Sequence, residues 1–438
     1  MLGNFFRIKR HSLLVGFCVA STILTVSSVN AETVNQAMAY AFKNSPQMRL
    51  EKEKLKLSDE SIISAQAGLM PTLNGELSFA RSQTKIFLSG SANPASTVQM
   101  GLTATLNASY NLWDNGITEN RIEQAKIGRS AQQDMATLSE QDFLIQVFTI
   151  YVDVLRDSAL LNVQIKNFNV MSEQQKASEA RFQVGEATAT DVALAKARKS
   201  SAISTIASSK AQLDMSRAVY EQIIGHKPTN LRQPKNISRL LPKSLRSAIA
   251  SAEKRHPALK SLKKSVLSAE KSVQIAEAGL LPSASAFGTA SAQRAYDGSA
   301  AQASLTIGAK LSVPIYNGGI KYSQTRQEKI KVAQARLNLT ISRARIVAGV
   351  KSRWNTLKAS KIRITADDAQ IRASRAVLNG IRAEAEEGVR TSFDVLNSEK
   401  ELLSAKVQAI VSKRAVLLSQ MQLLSSIGSL TATKLGIR

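Results

Sequence analysis

The strongest constraint on the fold is a strict alternation of apolar and polar side chains over residues 98–112. The even positions are apolar, and they are Val98, Met100, Leu102, Ala104, Leu106, Ala108, Tyr110 and Leu112. A period of two gives a β-strand one apolar and one polar face. Strands of soluble proteins are usually about 5–6 residues long, so this length favours a membrane-spanning barrel strand. The alternative is a long edge hairpin in a periplasmic domain.

The first 31 residues predict a secretory signal peptide. A basic head is followed by an apolar run and by a small-residue cleavage site that ends at Ala31. The only cysteine, Cys18, lies inside this segment, so the mature chain would have no disulfide and no thiolate metal site. The net charge of +25 suits nucleic-acid binding. An exported protein seldom meets nucleic acid, however, so anionic lipid or cell-wall polymer is the expected neighbour.

The second half of the chain repeats landmarks of the first half. Three pairs lie 203 residues apart, namely Trp113 with Tyr316, Gly185 with Gly388 and Gly225 with Gly428. A fourth pair, Pro71 with Pro282, is offset by eight further residues, which predicts a longer loop between the strands of the first half. The predicted segments are a signal peptide (1–31), a first repeat (32–225), a linker (226–243), a second repeat (244–428) and a C-terminal tail (429–438).

The sequence of each repeat predicts a helix, two strands, a long helix and a shorter helix, in that order. The first repeat has a helix at 32–69 that Pro71 ends, a strand around Leu73, Leu77 and Phe79, a loop at 89–96, the strand at 98–112, a long helix between Gly116 and Gly185, and a helix at 191–224. The second repeat has a strand at 303–315 and a weaker partner near 284–293. A helix of about 70 residues is about 100 Å long, which no single globular domain needs.

The last helix carries a seven-residue repeat. Its members are Leu396, Leu403, Ile410, Leu417 and Leu424, together with the residue before each. A strict heptad repeat predicts left-handed coiled-coil packing. Four strands per chain are too few for a membrane barrel, which needs about eight, and an open sheet would leave unpaired edges in lipid. We therefore expect association of two or three copies, and the physics alone does not choose the number.

The chain resembles the TolC-type outer-membrane efflux and secretion channels over residues 32–428. The resemblance is carried by the signal peptide, the duplicated halves, the sequences YNLWDNG and VPIYNGG at the strand-to-helix junctions, and the paired turns VGEATATDV and EGVRTSFDV. It implies an α+β membrane protein: a homotrimer with one twelve-stranded outer-membrane β-barrel, four strands per chain, continued by a long α-helical coiled-coil tunnel through the periplasm. The linker and C-terminal tail would form a mixed equatorial region.

The resemblance also implies a function and the residues that serve it. The channel would be the exit duct of a tripartite machine for multidrug efflux, type I protein secretion or both, opened by a periplasmic adaptor and an inner-membrane ABC or proton-driven pump. The implied site residues are Asp394 and Asn397 at the constriction, Arg390 with Thr190 and Asp191 as the gate latch, and Val184, Gly185, Thr188, Gly388 and Thr391 at the adaptor-docking tips.

Three of the implied positions depart from the family pattern. The second aspartate ring falls on Asn397, the tyrosine of a second latch falls on Ala385, and Glu387 replaces an apolar residue before Gly388. The structural alternatives are an N-cap for Thr190 and Asp191 and helix C-caps for the two glycines. A less negative gate and an altered adaptor preference are the expected consequences.

No enzyme, cofactor, metal or nucleic-acid function is expected. Phosphate loops, HExxH and nucleophile elbows are missing from the sequence, and His226 and His256 are expected on the surface. Residues 321–363 hold twelve basic residues and one acid, Glu328, which predicts either a solvated face near anionic polymer or a lumen wall that attracts anionic cargo. A stand-alone porin and a periplasmic coiled-coil structural protein remain the alternative functions.

Overall fold

The computed structural model describes residues 31–86, 95–234, 237–296, 298 and 300–437. Residues 1–30 of the predicted signal peptide and residues 89–94 of the predicted loop lie outside the described residues. Residues 95 and 96, also predicted as loop, belong to a strand. Within the described part of the chain, no helix combines the length and the apolar character that crossing a membrane requires.

The two halves of the chain contain the same elements in the same order. The first half contains α1 (Val34–Asn44), α2 (Pro46–Gln66), β1 (Thr72–Ile86), β2 (Ala95–Trp113), α3 (Ile117–Gln183) and α4 (Ala189–Ile224). The second half contains α5 (Leu245–Arg255), α6 (Pro257–Ala278), β3 (Ser283–Ala295), β4 (Ala301–Ser312), α7 (Ile320–Glu386) and α8 (Ser392–Ser426). The long helices α3 and α7 have 67 residues each, which is about 100 Å of helix.

The first helix of the chain is broken, and the prediction of one helix over residues 32–69 is wrong. Ser45 has extended backbone angles (φ −62°, ψ 129°) and separates α1 from α2. Pro46 explains the break, because proline lacks an N–H and disfavours helical backbone in the residue before it. The Ser45 hydroxyl then caps α2 by accepting from the Gln47 N–H at 3.1 Å.

The two histidines that follow the predicted signal peptide are partly buried and have structural partners, so they are less exposed than expected. His256 precedes Pro257 and caps α6, because its Nδ1 accepts from the Ala258 N–H at 3.3 Å. Burial lowers the pKa of His256. His226 lies 3.3 Å from Glu32, measured between Nε2 and a carboxylate oxygen.

Glu32 ties the start of the chain after the predicted cleavage site to the helical core. Its carboxylate accepts from the Tyr220 hydroxyl at 2.8 Å. Its carbonyl accepts from the Tyr151 hydroxyl at 2.7 Å and from the Arg232 N–H at 2.9 Å. Burial raises the pKa of both tyrosine hydroxyls, so they remain protonated donors at neutral pH.

The main hydrophobic core surrounds the middle of α3. It gathers side chains from α1 to α5, α7 and α8, and its largest fully buried members include Tyr151, Tyr220, Phe143, Met38, Leu144 and Ile224. The heptad repeat of α8 is largely inside the protein, because Val395, Leu396, Leu402, Ala409, Leu423 and Leu424 are buried. This burial agrees with the coiled-coil packing that the repeat predicts.

The four strands form one antiparallel sheet in the order β1-β2-β3-β4. Leu106 of β2 pairs with Gly75 of β1 and with Ala290 of β3, and Ala290 pairs with Leu305 of β4. Directly opposed residues share a face, so one face is mainly apolar across all four strands and the other is mainly polar, with Ser, Thr, Asn and Gln. β4 ends at Ser312, earlier than predicted, because Pro314 cannot donate to a strand ladder.

Candidate functional site

Each half of the chain makes a tight turn between its long and its shorter helix. The turns begin with glycines in left-handed backbone, Gly185 (φ +81°) and Gly388 (φ +76°). The next N–H reaches back five residues to the helix: Glu186 N donates to the Arg181 carbonyl at 2.8 Å. This hydrogen bond is the Schellman pattern that ends many helices. Beyond the two adjacent residues, no described atom lies within 4 Å of a Cβ built on either glycine, so the left-handed backbone angle alone favours glycine at these positions.

Both turns end in a threonine–aspartate capping box. Thr188 caps α4: its hydroxyl donates to Asp191 Oδ2 at 2.7 Å and accepts from the Asp191 N–H at 3.2 Å. Thr391 caps α8 with Asp394 in the same way, at 2.8 and 3.3 Å. The structural alternative of an N-cap at Thr190 and Asp191 is wrong for Thr190, which lies inside the first turn of α4, whereas Asp191 does belong to the capping box.

The capping boxes hold both aspartates ionised. Hydrogen bonds from Thr391, side chain first and backbone second, lower the pKa of Asp394, and the nearby Arg390 guanidinium lowers it further. The backbone and then the hydroxyl of Thr188 lower the pKa of Asp191. A carboxylate that accepts several hydrogen bonds favours its charged form.

Arg390 has a partner within its own chain. Its Nε donates to Glu384 Oε2 at 2.8 Å, and this hydrogen bond raises the pKa of Arg390. Among the described residues of one chain, no hydrogen bond or ion pair joins Arg390 to Thr190 or Asp191. The latch of Arg390 with Thr190 and Asp191 stays a prediction. Glu384 was not singled out from the sequence, because a glutamate inside a helix carries no motif signal.

The turns also expose apolar side chains. Val184 and Val389 are 70% and 74% exposed, and Phe182 and Phe393 are about half exposed. Of these four residues, only Val184 was selected from the sequence. The sequence does contain a signal for Phe182, Val389 and Phe393, because each is an apolar residue within six positions of Gly185 or Gly388.

The basic helix α7 is partly neutralised by acids of the neighbouring helices. Three of its cations lie seven residues apart, and they pair across the helix interface: Lys329 with Glu277 at 2.8 Å, Arg336 with Glu270 at 2.7 Å and Arg343 with Glu253 at 2.9 Å. Lys331 pairs with Glu328 on α7 itself at 2.7 Å. The positive electrostatic potential around α7 is therefore weaker than the number of its cations suggests. In the part of the chain that the structure describes, no cluster of His, Cys, Asp and Glu could hold a metal ion.

Solved structures define the class of protein to which this fold belongs. The fold matches CusC with a TM-score of 0.76 at 18% identity, covering 90% of this chain and 92% of that one. It matches the Campylobacter jejuni CmeC outer membrane channel with 0.76 at 16% identity, covering 92% and 88%, and the open state of the Neisseria gonorrhoeae MtrE outer membrane channel with 0.72 at 16% identity, covering 91% of each. The fold is that of the outer-membrane channels.

The chain belongs to the outer membrane efflux protein family, which it matches over residues 38–226 and 248–429. It is 29% identical to the outer membrane efflux protein BepC of Brucella suis, covering 99% of this chain and 93% of the relative. It is 24% identical to TolC of Escherichia coli, covering 91% and 83%, and 24% identical to the alkaline protease secretion protein AprF of Pseudomonas aeruginosa, covering 60% and 57%. The resemblance, the fold class and the outer-membrane location are confirmed, and the family consists of channels rather than enzymes.

Proposed function

We propose that three copies of this chain form the exit duct of a tripartite export machine. The observation that carries the proposal is the sheet, in which β1 and β4 are edge strands within one chain. Lipid cannot satisfy the free backbone groups of an edge. Pairing β4 of each copy with β1 of the next removes every edge and closes a twelve-stranded barrel. The apolar face then meets lipid and the polar face lines a water-filled lumen.

The helix turns support a gated inner end. They lie about 67 residues of helix from the sheet, or about 100 Å, far beyond a membrane about 40–45 Å thick. Their exposed valines and phenylalanines offer a small apolar surface to a partner, and exposed apolar patches commonly mark such contacts. We infer that this end meets a periplasmic adaptor and an inner-membrane pump, and that Asp394 and Arg390 control passage there. The names of BepC and AprF suggest two kinds of transport for this channel, efflux and protein secretion.

We expect Arg390→Ala to raise the resting conductance of the trimer several-fold. The substitution removes the cation that would hold Asp191 of a neighbouring copy, and it lets the turns move apart. Single-channel recording in planar lipid bilayers measures the effect. Glu384→Gln is the matched control, because it removes the partner of Arg390 within the chain and leaves the guanidinium free for the latch. A conductance unchanged by Arg390→Ala would contradict the latch, and a wild-type pore open without any partner would favour a stand-alone porin.

The ionised state of Asp394 predicts a pH dependence of ion selectivity. The folded-state pKa of Asp394 is depressed, so its charge, and the capping box that needs it, persist above the ordinary value of about 3.9 and are lost only as pH falls through the lowered pKa. We expect the cation preference to stay constant from about pH 7 to about pH 4 and to disappear below that. Reversal potentials in a salt gradient report this preference.

Asp394→Asn provides the reference, with weak cation preference at every pH. Repulsion among three carboxylates around the axis would act in the opposite direction, because like charges raise a pKa. A loss of cation preference beginning well above about pH 4.5 would therefore show that this repulsion outweighs the hydrogen bonds from Thr391.

A further inference from the structure

A basic cluster lies on the apolar face of the sheet at the end remote from the helices. Phe79 of β1, Leu102 of β2 and Arg294 of β3 are directly paired in one row. In the next row Arg81 pairs with Met100. Both arginines therefore lie on the same face as Leu102, and both are exposed.

An aromatic pair shows that side chains of β1 and β3 meet over this face. The rings of Phe79 and Tyr296 contact edge to face with centroids 6.5 Å apart. Tyr296 continues β3, since its N–H donates to the Met100 carbonyl at 2.8 Å. Arginine side chains are longer than phenylalanine, so Arg81 and Arg294 can reach one ligand between them. Lys85 lies on the same face further along β1.

The distance of the cluster from the helix end of the sheet matches the thickness of the apolar band of an outer-membrane barrel. Arg81 is nine residues along β1 from Thr72, which is about 30 Å of strand and about 23 Å along a barrel axis at the usual tilt. The apolar band of an outer-membrane barrel is about 25 Å tall and has aromatic girdles at both edges. Trp113 and Tyr316 mark the helix end of the sheet, and Phe79 and Tyr296 mark the other.

The charges around the cluster are uncompensated within the described strands. Their only carboxylate, Glu76, pairs with Thr105 and so lies on the polar face. Arg81, Lys85 and Arg294 make no ion pair with any described residue. Cations at the edge of an apolar band recognise anionic headgroups, and arginine in particular recognises phosphate.

We propose that Arg81 and Arg294, with Tyr296 beside Arg294 and Lys85 beyond Arg81, bind the phosphorylated glycolipid of the outer leaflet, lipopolysaccharide. The proposal depends on the proposed barrel, in which the apolar face meets lipid and the hairpin ends point outward. The phosphates accept hydrogen bonds from the guanidinium groups, and the acyl chains lie along Leu102 and Leu106. The contact fixes the outer rim of the barrel in its leaflet.

Lipid A binding to the purified trimer tests the proposal. The detergent-solubilised trimer is titrated with bisphosphorylated lipid A and with the same lipid after dephosphorylation, and bound lipid is counted by native mass spectrometry. We expect Arg81→Gln and Arg294→Gln each to weaken binding of the phosphorylated form about fivefold, and the double variant roughly 25-fold. Lys310→Gln is the matched control, because it removes one cation from the polar face, and we expect it to leave binding unchanged.

Two results would overturn the proposal: equal binding of the phosphorylated and dephosphorylated lipids, or a double variant that binds lipid A as the wild type does. Each variant is also checked for trimer formation and for conductance in planar bilayers. Unchanged lipid binding by a conducting trimer contradicts the glycolipid site alone. A wild-type chain that forms neither trimer nor pore contradicts the proposed function itself.

Discussion

Gly428→Ala is expected to lower the free energy of unfolding by about 3 kcal/mol. Gly428 has a left-handed backbone (φ +66°) and lies two residues after the end of α8. A Cβ at this position would lie 2.7 Å from the carbonyl carbon and oxygen of Arg255 and from the Cα of His256. These are backbone atoms of the α5–α6 junction and cannot rotate away. The substitution therefore combines the cost of left-handed backbone, about 1–2 kcal/mol, with overpacking, about 1–3 kcal/mol.

Gly388→Ala separates the two contributions. Gly388 has nearly the same backbone angle (φ +76°) but no atom within 4 Å of the built Cβ, so we expect only about 1 kcal/mol. Thermal unfolding of the detergent-solubilised protein, followed by intrinsic fluorescence, compares the two variants. Equal shifts in Tm would show that the junction moves aside to accept the methyl group.

Arg156→Ala is expected to destabilise the protein by about 3 kcal/mol. The Asp157 carboxylate is 1% exposed and accepts two hydrogen bonds from Arg156, from Nε at 2.7 Å and from Nη2 at 2.9 Å. Arg156 also lies 3.0 Å from Asp153. Its loss leaves Asp157 with the Ser216 hydroxyl, at 2.5 Å, as its remaining partner. A buried charge deprived of its counter-ion is strongly unfavourable.

Two further variants test this explanation. Lys176→Ala removes an ion pair with Glu173 in which both side chains are about 70% exposed, and we expect about 0.5 kcal/mol or less. Asp157→Asn in the Arg156→Ala background removes the buried charge and should recover much of the lost stability. Chemical unfolding curves for the single and double variants measure both effects. A double variant less stable than Arg156→Ala would exclude the buried charge as the cause.

The sequence predicts most of the architecture because its signals are local. The alternation at 98–112 needs no long-range information, and the strand it predicts is present as β2. The absence of proline from α3 likewise predicts a long helix, and one of 67 residues is observed. Pro46 is a local signal too, and it accounts for the break between α1 and α2 that the prediction of one helix over residues 32–69 lacks.

The remaining features depend on contacts between distant parts of the chain. Gly428 was recognised only as the counterpart of Gly225, whereas its close approach to Arg255 and His256 depends on how α8 docks. Pairing of Lys329 with Glu277 brings together residues of two helices, and the basic composition of α7 gave no indication of it. Arg390 is the hardest case, because the described residues of one chain give it a contact with Glu384 and none with Thr190 or Asp191, its expected partners.

The equal lengths of α3 and α7 affect what a docking partner would meet. Both helices have 67 residues, so the two turns of each chain are separated from the sheet by the same length of helix. Three chains would then present six near-equivalent tips in one ring. A partner with six repeated subunits would find a similar binding site at each tip. The duplication within each chain would thus give the ring of turns approximate sixfold symmetry, while the barrel keeps the threefold symmetry of the trimer.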